Sequence, residues 1–402
     1  MKRFIILTTT IRNVGGAQMY AANKMSYYEQ LGWKPDVFFH NVGPVRIGYL
    51  KQFEGNLIPE LLQPFRDCGE KIREVIAHRI LDRYDKQDEF LFECHTPELA
   101  YWGEYFAKVV NGKSTIYLLE EVLPKFTEGE LSFYEYKYER KELLNNSANG
   151  LQRVLQVKYD TQIHCAQGNE VKPYCDNVVD YTPISLPQEV EGANYNILSI
   201  GRLDKPYIMG MLDEILLFSS RHQDKIMNLI IVGGDLYNKV NERIIALFKD
   251  RPNVRLFLLG YVFPVPYDWI KLADVSIASS NSILVSANEG VPTIGIDIHD
   301  FLPIGVYGHT TQNLWARDSE PQTPLSEWLE EVLVQRKYVK KLVEHNMADD
   351  LGAHLKPHLD LLNASDKTKE YYDVEHMYSK REQFVYKVKK ILRPVYSRLR
   401  KK

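Results

Sequence analysis

Phe4-Ile5-Ile6-Leu7-Thr8-Thr9-Thr10-Ile11-Arg12-Asn13-Val14-Gly15-Gly16-Ala17-Gln18 is the stretch that decides the fold class. Phe4–Thr9 is an apolar run without alternation, as expected for a parallel strand buried on both faces. Asn13, Gly15 and Gly16 make a polar turn, and a helical stretch runs from Ala17 to about Leu31. Strand, glycine turn and helix in that order open an alternating α/β sheet. Glycines there let a backbone approach a ligand closely. The helix N-terminus offers N–H groups to an anion or a polar sugar. A plain β–α turn explains the same residues equally well. The pattern is not the glycine fingerprint of a dinucleotide site.

Outward from this unit, strands and helices keep alternating. Strands are expected at Pro35–Phe39, Phe90–Cys94 and Ser114–Leu119, and a short one at Val154–Val157. Helices are expected over 66–84, after His95-Thr96-Pro97, and over 128–146. Thr182, Pro183, Pro187 and the polar 189–194 stretch mark a boundary. A second series follows, with strands at Asn196–Ile200, Asn228–Val232, Val254–Leu258, Val275–Ala278 and Pro292–Ile296. Helices separate them at 208–220, 240–249, 265–272 and 282–288, and charged helices follow from about 325. The domains are therefore expected at 1–187 and 195–365, with a basic helical tail at 366–402.

The chain has 402 residues, 45% hydrophobic and 26% charged, so it is expected to fold throughout. Its net charge of −3 gives no overall drive towards nucleic acid. From Lys380 to Lys402 there are ten basic residues against Glu382, which leaves the rest of the chain acidic. Phe384, Val388, Ile391, Leu392, Val395 and Leu399 recur in that tail at helical spacing, with Pro394 expected to kink it. A basic amphipathic helix suits an anionic membrane surface. The same stripe could pack back on the first half. Cys68, Cys94, Cys165 and Cys175 contain no CxxC pair and read as reduced thiols. Residues 4–11 are too short for a membrane span, and a cytoplasmic location is expected, at most peripheral at the inner face of the membrane.

Two further loops attract chemistry. Gly201-Arg202-Leu203-Asp204-Lys205 follows the first strand of the second series, where Arg202 and Lys205 could hold a diphosphate. Ser279-Ser280-Asn281-Ser282 follows the Val275–Ala278 strand, where hydroxyls and N–H groups could bind phosphate or merely cap a helix. Ordinary solvated loops account for both compositions too.

Together these pieces resemble the retaining, sugar-nucleotide-dependent glycosyltransferases of the GT-B fold, above all family 4. The matching motifs are Gly15-Gly16-Ala17-Gln18, Ile197–Leu203, Leu229–Gly234, Asn253–Leu256 with Gly260, Ala273-Asp274-Val275 and Gly290-Val291-Pro292-Thr293-Ile294. Their order agrees over roughly residues 1–300. The resemblance implies two Rossmann-like domains facing across a cleft, with a C-terminal helical region returning to the first. It implies donor contacts from Gly15, Gly16, Arg202, Lys205, Ser280, Asn281 and Ser282. It places His95, as the catalytic candidate, near the sugar, with a capping or core histidine as the plain alternative. The partners implied are a nucleotide sugar and a glycan or lipid-linked acceptor, with no cofactor and no metal. Glu120 or Glu121 could assist the acceptor hydroxyl. Cell-surface polysaccharide assembly is the expected setting.

One departure stands out. The family carries two glutamates, eight apart, before the Gly-x-Pro turn, and the second position here is Val285. Glu289 is out of register. A non-catalytic, membrane-peripheral subunit of a glycan-synthesis complex is the rival expectation, and a sugar-nucleotide epimerase is a third.

Overall fold

In the computed structural model, β1 (Lys2–Thr8) is fully buried from Phe4 to Leu7. The structure describes residues 1–118, 125–145, 151, 154–155, 186–234, 239–262, 265–340, 351–366, 368 and 370–399. Helix α1 (Gly16–Gln30) and β2 (Lys34–Phe39) follow, and β2 lies parallel to β1 in register Ile6 to Val37. Then come α2 (Glu70–Leu81), β3 (Glu89–Cys94), α3 (Pro97–Val110), β4 (Lys113–Tyr117), α4 (Glu128–Glu139) and the short β5 (Leu143–Leu144). All pairings are parallel, in the order β2-β1-β3-β4-β5. The caps are written into the sequence. Thr96 accepts the Leu99 N–H at 3.3 Å and Pro97 takes the first helical position, where its missing N–H costs nothing. Thr127 and Glu130 form a reciprocal capping box at the start of α4.

The second sheet repeats the scheme. It contains β6 (Tyr195–Ile200), α5 (Tyr207–Arg221), β7 (Met227–Val232), α6 (Lys239–Phe248), β8 (Val254–Gly260), α7 (Tyr267–Leu272), β9 (Val275–Ala278), α8 (Ser282–Ala287) and β10 (Thr293–Ile296). An antiparallel β11 (Pro303–Val306) closes one edge, and the short α9 (Leu325–Leu329) covers the apolar face of α5. The order is β11-β10-β9-β6-β7-β8.

The chain divides into two compact units, Met1–Val178 with Met347–Lys402, and Val179–Asn346. The return of the C-terminal region to the first domain is thus observed. The expected boundary at 365 is corrected, because α10 (Leu351–Ala364) belongs to the first unit. Its Leu355 and Leu361 pack with Tyr20, Tyr117 and Leu144 in a buried cluster. Other expectations shift as well. The helix expected over 128–146 stops at Glu139, where Lys141 turns the chain with φ of 61° into β5. Val154 is helical rather than extended, with the Leu155 N–H donating to Leu151 O at 3.0 Å, and 156–157 lie outside the described residues. The tail helix α11 (Lys380–Leu399) runs through Pro394.

Anchoring of α10 is measurable. Leu355→Ala should destabilise the first unit by about 2–5 kcal/mol, the range for a fully buried leucine. An unchanged urea midpoint would show that α10 is not held there.

Candidate functional site

In an open parallel sheet, ligands bind at the carboxyl ends of the strands, where neighbouring connections leave in opposite directions. The first sheet has this switch point between β1 and β3, since β2 lies on the other side of β1. Leu7 pairs with Cys94, and the His95 N–H donates to Leu7 O at 3.0 Å. The loop carrying Gly15 and Gly16 and the His95-Thr96-Pro97 loop therefore flank one point. In the second sheet the switch lies between β6 and β9, where Ile200 pairs with Ala278. This sets Gly201–Lys205 beside Ser279–Ser282. Each unit thus gathers its own sequence-predicted residues at its own switch point.

The second unit's switch point is built on backbone contact. The Gly201 N–H donates to Val232 O at 3.0 Å, Leu203 N–H to Gly234 O at 3.1 Å, and Gly233 N–H to Gly260 O at 2.8 Å. Gly233 has φ of 151°, and a Cβ there would sit 1.7 Å from Gly201 O. Only glycine allows that approach. The stacked turns hold Arg202 at the edge with its side chain 50% exposed, and Nε lies 3.4 Å from Asp204. Water screens a pair so exposed, so Asp204 holds the guanidinium only weakly. Lys205 is half-buried in the same turn.

Across the switch, Ser280 takes a left-handed φ of 57° and its N–H donates to Leu314 O at 3.1 Å. Such backbone is uncommon for serine and clusters at ligand sites. Asn281 stands at the start of α8, yet its side chain makes no capping hydrogen bond. Capping therefore does not account for Asn281. Ser279 is buried, and Ser280, Asn281 and Ser282 are half-buried. Val285 packs with Ile200 and Ile283 in an apolar cluster. An acid at this position would meet that cluster.

In the first unit, Arg12 steadies the glycine loop. Its guanidinium is nearly buried, pairs with Glu54 at 2.5 Å, and lies 5.0 Å from the Phe39 ring centre. Asn13 has φ of 62° and donates its N–H to Pro44 O at 2.8 Å. Gly15 is extended, and the Gln18 amide donates to Thr10 O at 3.3 Å.

His95 follows β3, and its side chain, 2% exposed, lies in a buried polar network. Lys24 is the centre of that network. Its ammonium donates to Glu93 Oε2, to Tyr20 Oη at 2.9 Å and to His358 Nδ1 at 2.6 Å. Three N–H groups meet three acceptors, which is all an ammonium can use. Tyr20 Oη donates to Glu93 Oε1 at 2.8 Å, and His95 Nε2 lies 3.3 Å from the same oxygen. Burial lowers the pKa of Lys24, His95 and His358. Burial raises that of Glu93, but the Lys24 charge and the His95 hydrogen bond outweigh it and bring it below the usual range. Lys24, Tyr20 and His358 were not anticipated from sequence. Glu93 could have been, since an acid inside the apolar Phe90–Cys94 strand requires a partner.

Among the described residues no group of three His, Cys, Asp or Glu is placed to hold a metal. Glu120, Glu121, Cys165 and Cys175 lie outside the described residues.

The network makes the first unit acid-sensitive. His95, His358 and Glu93 all bind protons less readily folded than unfolded. Stability should fall as pH drops below about 6.5, and again below about 4.3, the ordinary histidine and glutamate values. Glu93→Gln should cost about 3–5 kcal/mol at neutral pH, because Lys24 keeps its buried charge without a carboxylate. Urea melts across this pH range check both, and a flat profile would contradict the network.

No protein-family model matches the chain, and no curated protein matches its sequence. Several solved structures do match its fold. Anabaena Alr3699/HepE in complex with UDP-glucose superposes with a TM-score of 0.56 at 12% identity, over 90% of this chain and 98% of that one. A glycosyltransferase from Rickettsia africae ESF-5 gives 0.53 at 14% identity, over 97% and 98%. A variant of S. aureus TarM in complex with fondaparinux, alpha-GlcNAc-glycerol and UDP gives 0.50 at 10%, over 90% and 100%. Identities this low establish fold alone, and the fold is of GT-B type: two Rossmann-like α/β units with a C-terminal helical region joined to the first.

Proposed function

We propose that this chain is a glycosyltransferase that moves a sugar from a nucleotide-sugar donor to a glycan or lipid-linked acceptor, in cell-surface polysaccharide assembly. The observation that carries this reading is the convergence of Gly201–Lys205 and Ser279–Ser282 at the β6/β9 switch point. The donor diphosphate lies against Arg202 and Lys205, whose charges offset the negative charge that grows on the leaving group. Ser280, Asn281 and Ser282 supply neutral hydrogen bonds to the donor. Gly15 and Gly16 leave room at the first unit's switch point. His95, the catalytic candidate, is assigned a positioning role through its contact with Glu93. The transfer is proposed as retaining and without a metal. The matched HepE and TarM structures, bound to UDP-glucose and UDP respectively, support the nucleotide-sugar class by fold likeness.

A second reading has its own support. Val285 packs against an apolar cluster and His95 is buried, and both are positions where the family resemblance places chemistry. A non-catalytic subunit that retains nucleotide binding fits those two facts. Transfer or hydrolysis of a bound donor separates the readings.

The tail bears on location. Phe384 is 67% exposed, and Val388 and Leu392 on the same helical face are also exposed. The opposite face is the anchored one, where Tyr386 Oη and Lys390 Nζ each reach Asp67 Oδ2 at 2.9 Å. An outward apolar stripe flanked by Lys387 and Lys389 supports peripheral attachment to an anionic membrane, at its cytoplasmic face. Among the described residues no helix is long and apolar enough to cross a membrane.

Two outcomes are expected. Arg202→Ala should weaken UDP binding by about 1.5–3 kcal/mol, the worth of a charge-assisted hydrogen bond, read by calorimetry. Equal affinity in both proteins removes the assigned role. Phe384→Ser with Val388→Ser should abolish sedimentation with vesicles of mixed anionic and neutral lipid and leave the melting temperature unchanged. A sharp fall in melting temperature would instead make the stripe part of the core.

A further inference from the structure

We propose that Trp315 is the platform for the sugar of the donor, its indole ring stacking on the C–H face of the sugar and its N–H donating to a sugar hydroxyl. This assignment rests on the nucleotide-sugar reading above. It adds stacking to the neutral hydrogen bonds of a site whose family acid is replaced by Val285.

The backbone of Trp315 lies at the ligand edge of the second sheet. β9 and β10 run parallel with Gly295 opposite Ala278, so the loop after β10 leaves the same edge as Ser279–Ser282. The segment Leu314–Arg317 crosses that edge and ties both loops to itself. The Ser280 N–H donates to Leu314 O at 3.1 Å, and the Ile298 N–H donates to Trp315 O at 3.0 Å. The Arg317 N–H donates to Asp297 Oδ2 at 2.8 Å. Trp315 is thus pinned between the ends of β9 and β10, next to the loop assigned to the donor. A side chain carried on so fixed a backbone loses little freedom when a ligand arrives.

The ring itself is unspent. Of the five tryptophans, Trp33, Trp102, Trp269 and Trp328 are buried, and Trp315 alone keeps open surface. Leu314 beside it packs on the apolar cluster of Ile200 and Ile283. Among the described residues the Trp315 ring meets no other ring and no cation, and its N–H meets no acceptor. An indole that is half-covered normally spends its N–H on a partner.

The charges around it set the class of ligand. Four acids, Asp297, Asp300, Asp318 and Glu320, stand there against Arg317. Asp297 Oδ1 accepts the N–H groups of His299 at 2.7 Å and Asp300 at 3.4 Å. Glu320 accepts the Asn313 amide and the Asp318 N–H, both at 2.7 Å. The Arg317 guanidinium is taken up by Asp300 and by Pro303 O at 3.2 Å. A corner with more acid than base, and its one arginine engaged, suits a neutral part of the donor and not a phosphate. A sugar is neutral and two-sided, with C–H groups on a face and hydroxyls around the rim. Strand order gives the direction. With the diphosphate at Arg202 and Lys205 after β6, the serine loop after β9 and Trp315 beside β10 follow on one side, and β7 and β8 lie on the other. The sugar takes the side with the hydroxyls and the open ring.

The test uses the full chain and calorimetry with UDP-, GDP- and dTDP-linked hexoses, each beside its free nucleoside diphosphate. Trp315→Leu keeps apolar volume and removes the ring; Trp315→Phe keeps a ring and removes the N–H. The Leu variant should bind the sugar nucleotide about tenfold more weakly, near the upper worth of an aromatic contact. Its affinity for the free diphosphate should be unchanged. The Phe variant should recover most of the loss. Unchanged sugar-nucleotide affinity in the Leu variant would overturn the proposal. Equal weakening of diphosphate and sugar nucleotide would do so too, since it would place the ring against the nucleotide or in the packing of the loop. A Phe variant as weak as the Leu variant removes stacking from the assignment. Each of these results retires the platform and leaves nucleotide binding standing. If no member of the panel binds the unaltered chain, the nucleotide-sugar reading falls and the platform with it.

Discussion

Lys24 carries a charge where almost no water reaches it, and the first unit is arranged around that fact. A buried ammonium is tolerated only when a carboxylate neutralises it and every N–H has an acceptor. Glu93 supplies the charge from β3, Tyr20 an oxygen one helical turn back, and His358 a ring nitrogen from α10. The last partner is 334 residues away in sequence, so α10 must return to the first sheet for the site to close. The logic repeats at Lys137. Its ammonium meets Glu104 at 2.8 Å and Glu142 at 2.6 Å, and Glu104 in turn accepts the Tyr372 N–H at 2.9 Å. Arg140 then reaches Thr368. Two buried lysines thus fix successive parts of one returning chain, ending where Tyr378 meets Glu130 and α11 begins.

The second unit relies on closeness of backbone instead of charge. Gly201, Gly233 and Gly260 end three neighbouring strands, and their turns touch main chain to main chain. The sequence reading assigned glycine turns of this kind to ligand approach. In the second sheet their first duty is packing, and the exposure of Arg202 follows from it. A turn raised by a side chain at Gly233 would tilt the Arg202 loop away from the serine loop across the switch point.

Much of this was legible in the sequence, for definite reasons. Buried parallel strands are continuous apolar runs, so Phe4–Thr9, Asn196–Ile200 and Asn228–Val232 declare themselves, and alternation with helices then fixes the sheet type. Periodicity tells that a helix has a covered face but not what covers it. Leu355 and Leu361 were therefore assigned with the second domain, although Tyr20 and Tyr117 cover them. In the tail the hydrophobic stripe suited a membrane surface or the packed face alike, and it is Tyr386 and Lys390, aimed at Asp67, that seat the helix. His95 was placed at a strand end with a core histidine as one alternative, and its burial with Glu93 agrees with that alternative. A strand has period two, so Glu93 and His95 share a face, and an acid held in a core draws its neighbour inward.

The missing acid at position 285 sharpens what this site can do. Val285 lies in an apolar cluster, and the adjoining loop offers hydroxyl, amide and N–H groups of no net charge. Across the switch point stand Arg202 and Lys205 with Asp204, leaving one net positive charge. On the proposed reading that charge would attract a diphosphate, while the grip on the sugar would rest on neutral hydrogen bonds. Each of these is worth about 0.5–1.5 kcal/mol net, against about 1.5–3 for a charged one. On that reading the loss would fall on the orientation of the sugar rather than on the affinity for the nucleotide. Nucleotide binding is thus common to the enzyme and the non-catalytic subunit, and what divides them is whether a neutral loop holds the anomeric carbon in line with the acceptor.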